Sequence, residues 1–181
     1  MPSFDDILAY YRKQIQLPWQ NDVHYAGRVW MVWYDKGLER RIRGQLYEFE
    51  HLTKAAGHGW QHLDLVSQFP KWMATHEFLS ELLDQPEELR SILPEFEAHL
   101  IEKLKSSLDQ ASDNDVIVVT GSGSLFGLVR VSTLITKIAS AIRGRLVLTF
   151  PGSHQSNVYR LLDARDGWNY HAIPIPPADA V

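Results

Sequence analysis

Residues 115–130, DVIVVTGSGSLFGLVR, carry the pattern that decides the fold. Residues 116–120 form a short unbroken apolar run ending in threonine, as expected of a strand covered on both faces. A glycine-rich turn follows, with Gly121, Gly123 and Gly127. From about Leu125 to Ile142 the apolar pattern has helical length. The polar residues Arg130, Thr133, Lys137 and Ser140 recur three or four apart, which places them on one stripe of that helix. Strand, glycine turn and helix together predict one unit of a parallel α/β sheet.

The alternation continues on both sides. Upstream, Ser3 and Asp6 make a capping pair, and Phe4, Ile7, Leu8, Tyr11 and Ile15 recur at helical spacing until Pro18. RVWMVWYD, residues 28–35, predicts a strand with Val29, Met31 and Trp33 on one face and Trp30, Val32 and Tyr34 on the other. Leu38, Ile42, Leu46 and Phe49 predict a helix that Gly57 closes. WQHLDLV, residues 60–66, predicts a second strand. Residues 71–110 read as two or three short helices, with Pro86 and Pro94 each in a first turn. Residues 67–112 are thus predicted to form a helical insertion or lid. Downstream, RLVLTF (145–150) predicts a fourth strand, SNVYRLL (156–162) a short helix and YHAIPI (170–175) a fifth strand. The expected architecture is a single α/β domain over residues 1–181. Its sheet should be mainly parallel, Rossmann-like or P-loop-like, and covered by helices. Its functional rim should lie at the carboxyl ends of the strands, carrying Asp35, the 121–127 loop and the 151–154 turn.

Composition narrows the chemistry. The 181 residues contain no cysteine, which excludes disulfides, thiolate metal sites and cysteine nucleophiles and fits a reducing cytoplasm. No apolar run approaches a membrane span, and the N-terminus lacks a signal-peptide core. The net charge of −4 is unevenly spread. Residues 77–109 hold nine acids against three bases, whereas residues 116–162 hold no acid and five bases: Arg130, Lys137, Arg143, Arg145 and Arg160. Such asymmetry either marks an anionic partner or is neutralised within the fold. Six tryptophans supply large anchors for a core or an interface.

The glycine loop fails three phosphate-site patterns. Leu128 stands after Gly127 where a P-loop needs lysine and a hydroxyl. G-x-G-x-x-x-G is one residue longer than the dinucleotide fingerprint, and the next strand ends Thr149-Phe150-Pro151 without an acid. GSGSLFG is not a nucleophile elbow. Gly121, Ser122, Gly123 and Ser124 remain weak anion-site candidates, and the alternative is a purely structural turn. His58, His62 and Asp64 lack the partners of a metal centre. Asp35 is better placed to cap the next helix than to act as an acid. A Ser122–His154–Asp35 set has no support from spacing. The sequence therefore supplies no catalytic residue, metal ligand or cofactor motif.

VVTGSGSLFGLVRVSTLI, RLVLTFPGSHQSNVYRLL and WNYHAIPI, together with VWMVWYDKGLERRIRGQL and GWQHLDL upstream, resemble the BrxB family of BREX phage-defence systems. Departures are Gly127 where that family favours proline, Ser153-His154 where it favours tyrosine, and His171 where it favours arginine. The resemblance implies a non-catalytic, cytoplasmic component of a host-defence assembly. Such assemblies combine a DNA methyltransferase, a large ATPase and a PglZ-type alkaline-phosphatase-like protein. The implied role is an adaptor that binds other BREX proteins, most naturally the PglZ-type one, and reaches DNA only through them. Arg130, Lys137, Trp72 and Trp168 are the candidate partner-binding residues. The competing reading is a nucleotide- or phosphate-binding α/β enzyme that uses the 121–127 loop.

Overall fold

The structure is a computed structural model that describes residues 1–20, 23–164 and 167–178. Its centre is a mixed sheet. Five strands, β1 (Val29–Tyr34), β2 (Gly59–Asp64), β3 (Asp115–Thr120), β4 (Arg145–Gln155) and β7 (Ile173–Ile175), run parallel in the order β2-β3-β4-β1-β7. β5 (Val158–Leu161) and β6 (Trp168–Asn169) add antiparallel pairing on the far half of β4.

The two-sided apolar strands explain the layers. Val29, Met31 and Trp33 of β1 join one core with Ile117 and Val119, under α6 (Leu89–Gln110) and α7 (Val131–Ile138). Trp30, Val32 and Tyr34 join the other with Val116, Val118 and Val147, under α1 (Phe4–Gln16), α2 (Glu39–Gly44) and α3 (Leu46–Ala55). α1 starts at the expected capping box of Ser3 and Asp6. At its centre the buried Tyr11 hydroxyl meets Thr53 Oγ1 at 2.6 Å. Thr53 already donates its own proton to Phe49 O, so Tyr11 is the donor. Gly57, at φ +85°, ends α3 as predicted.

Between β2 and β3 lie α4 (Gln68–Met73), α5 (Leu79–Asp84) and α6. α6 turns Phe96, Leu100, Leu104 and Leu108 into the core.

Four local readings need correction. Residues 156–162 are not a helix. Ser156 and Asn157, both at positive φ, make the two-residue turn of a β4–β5 hairpin, and Val158 and Tyr159 then pair with Gln155 and His154. The helix expected from Leu125 starts only at Val131, because Gly127 at φ +79° and the extended Arg130 interrupt it. Residues 122–125 form instead a single 3₁₀ turn. Pro94 lies inside α6, sixth from its start, while Pro86 does open a 3₁₀ turn. The final strand is confined to Ile173–Ile175, with Trp168–Asn169 pairing separately.

Candidate functional site

The carboxyl rim carries a hairpin of the chain itself. β4 continues four residues past its last partner on β1, Pro151, and its extension pairs with β5. Gly152 permits this, since a Cβ there would collide with Arg160 O. Leu162 N donates to Pro151 O at 2.8 Å and seals the base of the hairpin. Asp35 accepts from Gly37 N at 2.8 Å and caps a short 3₁₀ turn, as its position predicts.

The glycine loop packs against the same rim. Gly121 adopts φ +78°, and a Cβ there would stand 2.6 Å from Val66 Cγ2. Ser122 is buried, and its hydroxyl donates to Thr149 O at 2.7 Å. Ser124 Oγ donates to Gly121 O at 2.7 Å. A Cβ on Gly123 would lie 3.2 Å from Pro151 Cγ. The two serine hydroxyls and two glycines thus all have internal uses in the turn.

His58, His62 and His154 are likewise packed into the fold, although His154 Nδ1 is buried without a hydrogen-bond partner among the described residues. His62 Nε2 shares a 2.8 Å hydrogen bond with Thr120 Oγ1, and burial lowers its pKa from the ordinary value. Asp64, two residues further along β2, pairs with Arg43 at 2.9 Å. His58 stacks on Trp19 at 3.8 Å and meets Asn114 Oδ1. His154 is buried between Tyr159 and Trp33, and burial lowers its pKa too. Among the described residues no three His, Asp or Glu side chains cluster as metal ligands would.

The open feature is a cavity of about 710 Å³ between residues 126–132 and the β5–β6 hairpin. One wall is set by alternation. Val129 and Val131 are buried, so Arg130 between them, in extended conformation, faces outward. Val131, Leu134, Ile135 and Ile138 then bury one stripe of α7. The first turn of α7 has neither a side-chain cap nor an acid. The opposite wall holds Tyr159, Leu161 and Trp168, with Asp163 at its end. Trp168 is fixed by Phe150 and Tyr159, at ring-centre distances of 6.0 and 5.8 Å. Phe126 stands beside the cavity, 50% exposed.

The structure separates the four partner-binding candidates. Arg130 and Trp168 line this one cavity. Lys137 is elsewhere on α7, 2.6 Å from Glu97 of α6. Trp72 is half-buried against Phe69, Phe96 and His76. Sequence reading missed Phe126, Tyr159 and Leu161. The period-two pattern of residues 158–161, read as helix, was the signal that could have placed two of them.

This is an α/β domain that carries a β4–β5 hairpin at the carboxyl end of its parallel strands and, among the described residues, an aromatic cavity with an arginine at its edge. The family described as BREX protein BrxB matches residues 63–175, more than half of the chain, and the chain belongs to that family. It is a component of a BREX phage-defence system. No curated protein and no solved structure matches it.

Proposed function

We propose that this BrxB-family chain is a non-catalytic adaptor that binds another BREX protein through the surface around the 126–132 cavity. The observation that carries the reading is the placement of Arg130 and Trp168 in one cavity, since arginine and tryptophan are the side chains that most often anchor interfaces. Two features support the lack of catalysis. The glycine loop uses its own polar groups internally, and β4 runs on past the carboxyl end of the parallel sheet, the side where open α/β sheets take their ligands, to pair with β5. On this reading the sheet keeps a Rossmann-like or P-loop-like plan without its phosphate site.

The partner we favour is the PglZ-type alkaline-phosphatase-like protein, met in the cytoplasm, with DNA reached only through the assembly. No helix among the described residues is long and apolar enough to cross a membrane. Co-expression of the chain with each BREX protein in turn, followed by size-exclusion chromatography, tests the proposal. One pairing should co-elute at physiological salt. Elution of the chain alone in every pairing, at low salt as well, would remove the adaptor reading.

A further inference from the structure

We infer that the cavity takes an acidic peptide segment of the partner protein, inserting an apolar side chain against Trp168 and setting a flanking carboxylate on Arg130. This rests on the adaptor reading and names what the adaptor grips.

Size fits first. A cavity of about 710 Å³ lies within the usual range of about 300–1,000 Å³ for ligand sites, enough for a large side chain and its neighbours. Leu161 and Trp168, both partly exposed, provide an apolar wall backed by the buried Tyr159, and Phe126 keeps half its surface in water beside it. Covering those surfaces removes apolar area from water, which drives association.

Charge selects the flanking group. Arg130 is exposed and has no hydrogen-bond or ionic partner among the described residues. Asp163 is the one carboxylate among the described lining residues, and Lys36 holds it at 2.6 Å. Residues 116–162 contain no acid at all. The uncapped first turn of α7 adds a partial positive charge on the same side. A basic segment would be repelled here, and a purely apolar one would leave the guanidinium unused. A free inorganic anion would leave the aromatic wall wet. Nucleic acid would meet one unpaired cation among the described lining residues, on a chain of net charge −4. An apolar side chain beside a carboxylate uses both halves of the cavity.

The test installs the photo-crosslinker p-benzoylphenylalanine at Phe126 and, separately, at Tyr47, an exposed residue of α3 on the other side of the sheet. Each version is purified as the complex with its BREX partner, irradiated and mapped by mass spectrometry. Position 126 should crosslink to one partner segment in which an aromatic or aliphatic residue neighbours Asp or Glu. Arg130→Glu should weaken the complex about thirtyfold, and reversing the partner's acid to lysine should restore it. If position 126 crosslinks through a segment without an acid, the inference is wrong and the adaptor reading stands; if the complex crosslinks only from position 47, the inference is wrong and the chain is an adaptor through another surface. If no complex forms with any BREX protein, both fall. Native mass spectrometry of the purified chain provides a separate check. A retained small organic anion, lost in Trp168→Ala, would make the cavity a metabolite site and overturn the peptide assignment.

Discussion

At the residue scale, two glycines with almost the same backbone angle separate conformational strain from collision. Gly121 and Gly127 sit at φ +78° and +79°, yet only Gly121 has no room for a Cβ. Gly127→Ala should cost about 1 kcal/mol for the left-handed backbone alone. Gly121→Ala should cost more, because Val66 must also move. Differential scanning calorimetry would show the difference at about 2–4 °C per kcal/mol for a domain of this size. Tyr11→Phe leaves the Thr53 hydroxyl bonded to Phe49 O but removes one buried hydrogen bond, and should cost about 1 kcal/mol. Two histidines, the buried His154 and the more exposed His62, bear on the pH response. His62 and His154 both have pKa values lowered by burial, so the unfolded chain binds their protons more readily. Their contribution to stability is complete above the ordinary histidine value of 6.5 and is lost as pH falls from there toward the lowered folded values. The thermal midpoint should drop between neutral and mildly acidic pH, and His154→Phe should flatten that drop. An unchanged slope would mean that His154 already takes up its proton in the folded state. The Ser3–Asp6 and Asp35 caps were legible because capping depends on spacing along the chain. Engagement of Ser122 by Thr149 was not, because those residues meet only across two strands.

At the element scale, local patterns failed where two structures share one pattern. Val158, Tyr159, Leu161 and Leu162 fit a helix turn as well as a strand, and Ser156 looks like a helix cap. Positive φ at Ser156 and Asn157 decides for the hairpin. Asparagine followed by glycine suits such a turn better. Ser156→Asn with Asn157→Gly should therefore raise stability by about 1 kcal/mol, read by urea denaturation. A loss of stability would contradict the turn geometry. The continuous apolar pattern of residues 125–142 similarly hides the break at Gly127. That break matters for the glycine loop: six residues, beginning with Leu125, separate the 122–124 stretch from the first residue of α7, so the loop does not feed directly into a helix start. Calorimetry with ATP, GTP and NAD at millimolar concentration should give no saturable heat. Micromolar binding abolished by Gly123→Val would restore the enzyme reading.

At the scale of the whole molecule, the layers were legible and the cavity was not. Period-two alternation in 28–35 assigns each β1 side chain to one of two cores, and the structure places them so. Val118→Asp would put an unpaired charge into the second of these cores and should prevent folding, visible as loss of the cooperative thermal transition. The cavity joins residues 126–132 to residues 159–168, about thirty positions apart, through a hairpin that was misread, so Arg130 and Trp168 could be nominated but not brought together. The structure also predicts which nominated residues matter. Arg130 is unpaired among the described residues, while Lys137 is tied to Glu97 and Trp72 is half-buried in its own aromatic cluster. Whether the Arg130 cavity is the docking surface is read by isothermal titration of the co-eluting BREX protein into the wild-type chain, Arg130→Glu and Lys137→Glu. Arg130→Glu should weaken binding about thirtyfold, while Lys137→Glu should stay within about threefold of wild type. Equal affinities for wild type and Arg130→Glu, with both variants folded, would contradict that docking surface.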